Sequence, residues 1–386
     1  MLKSFSAKLV LPLSMLAMTL GCNSLFEPSG HPESVVLLAT PKIISDFNNP
    51  EPSIRQFLDN YKSLTTPASE VIVIFAVGNS DHILYYAGPP SWNENVEWAR
   101  TTNFIPVSNA TLSYRQIANI VQVFKKVAKT QGITLKVYDQ IESGNEFTIS
   151  NVFKYSAHTE CTNNKWAMYD IRGQLAADPR AYASAPNGIT AGTLCGTFLV
   201  DQVSHYMNDL AFDGILYGNQ LGTRGRWYPG DGPGYSAEEA AAIQSFLDYS
   251  RASYGSKDLM WFDSYNNVDT ERATFSFPEA GYDDFSHVIA SGFCVILEKF
   301  IYKDNLESKL NIGGRPKILA TLDYVDPWYE YNSMTNFSAC SKGLEDYAVV
   351  YRDRIDGIMF FANDEVGRPV PKIIIDQFAR RFFGRF

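Results

Sequence analysis

The stretch Val71-Ile-Val-Ile-Phe-Ala76 contains no polar residue, so a strand formed by it has to be buried on both faces. A similar stretch, Val35-Val-Leu-Leu-Ala39, precedes it, and residues 53–62 between the two predict a helix. Residues 114–131, further along the chain, predict a second helix, which Gly132 ends. Buried strands that alternate with helices are typical of parallel β/α units.

The same alternation continues toward the end of the chain. Six further runs predict strands: residues 134–138, 214–217, 259–262, 287–290, 317–322 and 357–361. Helices are also predicted near residues 199–210, 236–255 and 371–381, and an extra strand at residues 82–86. These eight β/α units predict a (β/α)8 TIM-type barrel with long loops at its carboxyl-terminal face. An open doubly wound sheet is the alternative, but no glycine-rich phosphate loop follows the first strand.

The N-terminal residues predict export from a bacterial cytoplasm. Lys3 and Lys8 flank the start of an apolar run, residues 9–20, which is too short to span a bilayer and has the pattern of a signal peptide. Gly21-Cys22 follows directly and resembles a lipoprotein signal, in which the cysteine is lipidated and becomes the new N-terminus. Ordinary cleavage nearby is the alternative.

We therefore expect three parts in the chain: a signal peptide with a lipoprotein cysteine (1–22), a short tether (23–33) and a single barrel domain (34–386). No later segment is apolar for long enough to cross a membrane. The expected location is the bacterial cell envelope, with a lipid anchor in the periplasm or at the outer membrane. Secretion is expected if ordinary cleavage occurs instead.

Charge and cysteine content limit the kind of function. The net charge of -9 argues against nucleic-acid binding, because phosphate contacts require a basic face. Four cysteines follow Cys22, and in an exported chain they predict two disulfides, preferably Cys161 with Cys195 and Cys294 with Cys340. The five histidines are scattered and no CxxC motif occurs, so we expect neither a metal nor a cofactor. We expect a monomer.

Polar residues replace apolar ones at most predicted strand ends, where TIM barrels carry their active sites. The candidate catalytic carboxylates follow the third, fifth and seventh strands: Asp139, Glu142, Asp263 and Asp323. The candidate substrate-binding residues follow the fourth, fifth, seventh and eighth strands: Asn219, Gln220, Arg224, Trp227, Tyr265, Asn266, Trp328 and Glu365. Amides and acids bond sugar hydroxyls and flat rings stack on sugar faces, so this set favours a carbohydrate site.

The same residue types also form turns and helix caps. Asp213 and Asp356 each precede a glycine at the start of a predicted strand, so we interpret them as turn residues at the end of the barrel opposite the site.

The stretch Phe212-Asp-Gly-Ile-Leu-Tyr-Gly-Asn-Gln220 resembles the Asp-Gly strand of chitinase-like and endo-β-N-acetylglucosaminidase barrels. Trp261-Phe-Asp263 is similar to a Trp-Tyr-Asp at a strand end of the endo-N-acetylglucosaminidases. The resemblance implies a glycosidase-type barrel. In those families an acid lies seven residues after the Asp, and this chain has Gln220 there.

The hypothesis that follows is a glycoside hydrolase with a pair of carboxylates, one as proton donor and one as nucleophile or base. Asp263 is the candidate nucleophile, base or positioning group, and Asp323 or Glu142 the candidate acid. If Trp261 points into the barrel mouth, Asp263 also does, and Phe262 faces the helices. The alternative is a non-catalytic glycan-binding lipoprotein. A metal-dependent hydrolase or deacetylase is less favoured, since no histidine pair lies at a strand end.

The lipoprotein hypothesis predicts the effect of one substitution. Cys22→Ser removes the thiol to which the lipid would be attached, so the protein should move from the membrane fraction to the soluble fraction. Cell fractionation, with mass spectrometry of the mature N-terminus, measures this. Unchanged fractionation together with an unmodified N-terminus would contradict the hypothesis.

Overall fold

A computed structural model of the protein describes residues 33–77, 79–80, 83–84, 112–141, 204–217, 258–263, 285–290, 306–307, 309–310, 316–324, 334–363 and 367–384. Eight parallel strands within these residues form a closed barrel, which confirms the predicted fold class. The strands are β1 (Ser34–Ala39), β2 (Glu70–Phe75), β3 (Leu135–Ile141), β4 (Gly214–Tyr217), β5 (Asp258–Asp263), β6 (His287–Ala290), β7 (Lys317–Leu322) and β8 (Gly357–Phe361). The predicted long loops lie outside the described residues.

Helices lie between the strands and after the last one. They are α1 (Glu51–Asn60), α2 (Lys62–Thr65), α3 (Tyr114–Thr130), α4 (Met334–Val350) and α5 (Lys372–Phe383), with a 3-10 turn at Pro41–Ile43. Residues 204–208 are also helical, whereas the helix predicted at residues 236–255 lies outside the described part. In the part of the chain that the structure describes, no helix is both long and apolar enough to cross a bilayer.

Three details differ from the sequence prediction. The extra strand is shorter than predicted: Ile83–Leu84 pairs antiparallel with Asn79–Ser80. The third strand is longer, since β3 continues to Ile141 and therefore contains Asp139 within it. Helix α4 was not predicted at all.

The register of the strands determines which side chains face the barrel axis. One circuit of paired residues can be followed around the barrel. Its pairs are Ser34 with Glu70, Ile72 with Lys136, Tyr138 with Gly214, Gly214 with Asp258, Met260 with His287, His287 with Lys317, and Leu319 with Gly357. Gly357 pairs with Ser34 and closes the circuit. The circuit moves forward by two residues on each of β2, β3, β5 and β7, a stagger of eight residues. This is the stagger of TIM barrels.

Apolar side chains fill the barrel along the axis. The axis-facing positions in the middle of the strands are almost fully buried and include Val36, Leu38, Ile72, Ile74, Leu216, Met260, Ile289, Leu319 and Met359. The alternate positions face the helices, as Phe360 of β8 shows by its ring contacts with Tyr61 and with Phe378 of α5. The interior is therefore a packed core and not a channel.

A charged cluster closes the amino-terminal end of the barrel, which we call the N-terminal pole. Glu70 of β2 is its centre, and its carboxylate accepts hydrogen bonds from Ser34 Oγ (2.7 Å), Lys136 Nζ (2.9 Å), Lys317 Nζ (3.0 Å) and His287 Nε2 (3.0 Å). The bond from His287, together with those from the other three donors, holds the pKa of the Glu70 carboxyl far below its ordinary value, although partial burial opposes this. One carboxylate thus ties together five strands.

Asp258 of β5 extends the cluster. Its Oδ2 accepts hydrogen bonds from Lys136 Nζ (2.6 Å) and from the Tyr138 hydroxyl (2.5 Å). Burial, reinforced by the negative charge of Asp258, raises the pKa of Tyr138, so this phenol remains a hydrogen-bond donor. Charged groups of β2, β3 and β5 are thereby neutralised within one network.

Asp213 and Asp356 do more than form turns. The Asp213 main-chain N–H donates to the Val137 carbonyl (2.8 Å), and its Oδ2 accepts the Val137 N–H (2.9 Å). Asp356 makes the same two bonds with Ile318, both at 2.8 Å. Each aspartate therefore satisfies both main-chain groups, the N–H and the carbonyl, of one residue in the neighbouring strand. Their predicted position, at the end opposite the predicted site, is confirmed.

The glycine after each aspartate makes room for the strand on the other side. A Cβ at Gly214 would overlap the main-chain oxygen of Asp258, and a Cβ at Gly357 would overlap that of Ser34. The two Asp-Gly pairs thus clamp β4 and β8 between their respective neighbours.

This packing predicts that Gly357→Ala is strongly destabilising. The added methyl overlaps the β1 main chain, and overpacking of this kind costs about 1–3 kcal/mol or more. Gly132→Ala is the matched comparison, because Gly132 has φ +74° but nothing within 4 Å of its Cβ position. Backbone strain there should cost only about 1 kcal/mol. Urea unfolding of both variants measures the difference, and equal losses would contradict the steric explanation.

Candidate functional site

Buried polar side chains lie at the carboxyl-terminal end of the barrel, which we call the mouth. Four of them continue the axis-facing alternation of β1, β3, β7 and β8, and each is at most 4% exposed: Thr40, Gln140, Asp323 and Asn363. Below them the interior is apolar. The barrel lining therefore changes from apolar to polar at the level where TIM-barrel enzymes hold their substrates.

Thr40 and Asn363 join the ends of β1 and β8. The Thr40 N–H donates to Asn363 Oδ1 (2.9 Å), and Asn363 Nδ2 donates to Thr40 Oγ1 (2.7 Å). The Tyr61 hydroxyl donates to the main-chain carbonyl of Ala362 (2.5 Å), the residue between the end of β8 and Asn363. Three hydrogen bonds thus hold the end of β8 in place, so the chain leaves β8 for the mouth from a rigid position.

Asp323 follows β7 directly, and only 1% of its surface is exposed. The Ser341 hydroxyl of α4 donates to its main-chain carbonyl (2.6 Å). Two residues earlier, the Thr321 hydroxyl donates to the carbonyl of Ala290 at the end of β6 (2.8 Å). The segment that carries the Asp323 carboxyl group is therefore fixed to both α4 and β6.

Asp139 is also fully buried, but it lies on the other face of its strand. Tyr138 and Gln140 occupy the axis-facing positions of β3, so Asp139 between them faces the helix layer. Its Oδ1 accepts the main-chain N–H groups of Val77 (2.9 Å) and Gln140 (2.8 Å). This arrangement indicates that Asp139 holds the ends of β2 and β3 together. A catalytic role for it remains a prediction.

The position of the Phe262 ring shows which side chains of β5 face the barrel axis. Its ring meets that of Phe361 of β8 with centroids 6.1 Å apart, and only axis-facing side chains of these two strands can meet. The expectation that Phe262 faces the helices is therefore wrong, and strand alternation no longer supports the expected direction of Asp263 into the mouth. Its neighbour Trp261 is fully buried beside Phe285, with ring centroids 5.7 Å apart. Asp263 ends β5 opposite Ala290, and its side chain lies outside the described residues.

The other candidates lie outside the part of the chain that the structure describes. They are Glu142, Asn219, Gln220, Arg224, Trp227, Tyr265, Asn266, Trp328, Glu365 and the lipoprotein cysteine, Cys22. The side chains of Cys161, Cys195, Cys294 and Cys340 are likewise not described, so the two disulfides remain predictions. Among the described residues, no three His, Cys, Asp or Glu side chains come together as a metal site would require.

Gln140 and Thr40 are residues of the mouth that the sequence interpretation missed. The sequence predicts that the polar stretch Asp139-Gln140 lies after the third strand, whereas the structure places it inside β3. The alternation of β3, carried two residues beyond Tyr138, is the signal that would have identified Gln140. Thr40, two residues beyond Leu38, follows the same rule.

No family model and no curated protein matches the chain. Solved structures that align with it include an endo-fucoidan hydrolase of glycoside hydrolase family 107 (12% identity, 92% of this chain and 54% of that chain, TM-score 0.47). A family 18 chitinase from Pseudoalteromonas aurantia also aligns, with 10% identity over 92% of this chain and 100% of that chain and a TM-score of 0.43. A class V chitinase from Cycas revoluta aligns with 11% identity over 91% of this chain and 99% of that chain and a TM-score of 0.47. The chain spans about half of the endo-fucoidan hydrolase. With TM-scores below 0.5, these likenesses say nothing about chemistry.

The two hydrogen bonds between Thr40 and Asn363, which we call the clamp between β1 and β8, predict the effect of Thr40→Val. The substitution keeps the shape of the side chain and its main-chain N–H but removes the oxygen that Asn363 Nδ2 bonds. Loss of a buried hydrogen-bond partner should cost about 1–3 kcal/mol of unfolding free energy. Thr66→Val is the control, since Thr66 is exposed, and it should change stability by less than about 0.5 kcal/mol. Equal melting curves for the two variants would show that the clamp contributes nothing.

Proposed function

We propose that the protein is a glycoside hydrolase that cleaves an extracellular or cell-envelope polysaccharide or oligosaccharide with a pair of carboxylates. The observation that carries this proposal is the position of Asp323: a buried carboxyl residue directly after β7, in the axis-facing alternation, above an apolar barrel interior. Glycosidases need such a group beside the scissile bond.

The remaining carboxylates of the proposal come from neighbouring strand ends. Asp263 is the last residue of β5, Glu142 is the next residue in the sequence after β3, and the carboxyl-terminal ends of β3, β5 and β7 lie at the same end of the barrel. Asp323 or Glu142 would donate the proton to the leaving group, and Asp263 would act as nucleophile, as base or in positioning the substrate.

The other residues of the mouth fit a sugar ligand. Gln140 supplies an amide, which can both donate to and accept from hydroxyl groups. The edge-to-face pair of Phe262 and Phe361 closes the barrel below it with an apolar floor. A polar rim above an apolar floor is the usual composition of a small-molecule pocket. The other substrate-binding candidates, which follow the later strands in the sequence from Asn219 to Glu365, would extend the site outward.

The proposal includes a place in the cell. The signal sequence with Gly21-Cys22 supports a lipid-anchored protein of the cell envelope, and a secreted protein if Cys22 is not modified. Carbohydrate is then the expected partner on the aqueous side of the membrane.

Two conservative substitutions test the mechanism. Asp323→Asn and Asp263→Asn keep side-chain shape and remove only the charge or acidic proton, so each should lower turnover by at least about a hundredfold. Reducing-end release from a panel of polysaccharides and oligosaccharides measures the rates. The control is Asp353→Asn, since Asp353 is exposed in the turn before β8, at the end opposite the mouth.

Thermal melts of the same variants separate catalysis from folding. A variant that has normal turnover and a lowered melting temperature carries a structural residue, and that outcome in both variants would overturn the assignment. Gln220 stands where the chitinase-like and endo-β-N-acetylglucosaminidase barrels have an acidic residue, and this favours the second candidate function, that of a non-catalytic glycan-binding protein. Binding of glycans by the unmodified protein, with no product released from any of them, would establish that alternative.

A further inference from the structure

The chain enters the barrel at the N-terminal pole and is held firmly there. The N–H groups of Glu33 and Ser34 both donate to the Asp356 carbonyl (2.8 and 3.0 Å). The Glu33 carbonyl in turn accepts the N–H groups of Ser69 (3.0 Å) and Glu70 (2.9 Å). Glu33 is therefore fixed between β8 and β2, at the end of the barrel opposite the mouth.

The tether between this point and the proposed lipid anchor is short. Residues 23–32 separate Cys22 from Glu33, and about ten residues span at most about 35 Å when fully extended. A flexible chain of that length has a root-mean-square span of only about 17 Å.

The barrel domain is wider than the tether is long. A compact domain of about 350 residues has a radius of gyration of about 20 Å, which corresponds to a diameter of about 50 Å. If the mouth rested on the bilayer, Glu33 would lie about 50 Å above it, beyond the reach of a tether of about 35 Å. An anchored molecule therefore cannot place its mouth against its own membrane.

We propose that the anchored protein turns its N-terminal pole toward the bilayer and its mouth toward the aqueous space. The substrate is then a glycan chain that reaches the mouth from the aqueous side, and not a sugar carried on a lipid of the same leaflet. This inference rests on the lipid anchor and the glycosidase activity of the proposed function.

The described surface of the pole fits a polar contact with lipid headgroups. The turns there expose charged side chains of both signs, those of Lys129, Asp353 and Arg354, and partly expose those of Gln131 and Arg352. Among the described residues, Val350 is the large apolar side chain exposed near this end. Such a surface does not insert into the bilayer, so the tether sets the distance from the membrane.

Energy transfer to the membrane tests the orientation. The lipidated protein is placed in phosphatidylcholine vesicles that contain a headgroup-labelled acceptor lipid, with a genetically encoded fluorescent amino acid at position 353 or 49. Asp353 lies at the pole, and Asn49, in the exposed segment after β1, lies on the mouth side. Transfer from position 353 should exceed that from position 49 by at least about twofold, since the tether keeps the pole near the lipid.

A longer tether provides the matched control. Insertion of about forty Gly/Ser residues after Pro32 raises the extended reach to well over 100 Å, so the difference between the two positions should shrink. Equal or greater transfer from position 49 with the natural tether would overturn the inference, as would a natural protein that does not associate with the vesicles.

A separate measurement tests the proposal that the substrate reaches the mouth from the aqueous side. The natural protein should cleave a soluble glycan faster than the same glycan on a lipid of the same vesicle, and the long tether should raise only the second rate. Equal rates with the natural tether would overturn the substrate assignment. Absence of turnover on both substrates, with energy transfer as expected, would instead reject the proposed glycosidase activity and leave the orientation established.

Discussion

The eight-residue stagger between strands is the constraint on which the rest of this structure depends. It determines, strand by strand, which side chains share the axis, because register and alternation leave no freedom once the barrel is closed. Ser34 and Glu70 at one end, and Thr40 and Asp323 at the other, lie in axis-facing rows for the same reason. A site at the mouth is thus a consequence of the same geometry that packs the core.

The apolar interior separates two polar ends that have different tasks. At the pole, Glu70 accepts hydrogen bonds from four donors, and its pKa is depressed. The stability that its charge contributes is therefore fully present above the ordinary pKa of a glutamate and is lost progressively as the pH falls from there toward the depressed pKa. At the mouth, Thr40 and Asn363 fix the end of β8, while Asp323 is carried by a segment bonded to α4 and β6. The charged groups that join the strands at the N-terminal pole are therefore at the opposite end of the barrel from the carboxylates proposed to act on the substrate.

The sequence was sufficient for the barrel and insufficient for much of the mouth. Strands buried on both faces have to be apolar, so runs such as 71–76 were recognisable at once. The same property hides the direction of each side chain, which is why Phe262 was assigned to the wrong face. Asp139 and Gln140 looked like a loop because polar residues inside a strand break the apolar run. Helix α4 was missed because its sequence, with Gly343 and several small polar residues, lacks a clear apolar stripe.

The Asp-Gly pairs of β4 and β8 have a consequence for how related chains are identified. Asp213 and Asp356 make identical bonds to the preceding neighbour strand, and Gly214 and Gly357 make identical room for the other neighbour. The two strands lie on opposite sides of the barrel, and neither pair lies at the mouth. A motif search keyed to Asp-Gly before an apolar strand will therefore collect proteins by architecture, whatever reaction they catalyse. Assignment of activity within such a collection has to come from the residues at the other end of the same strands.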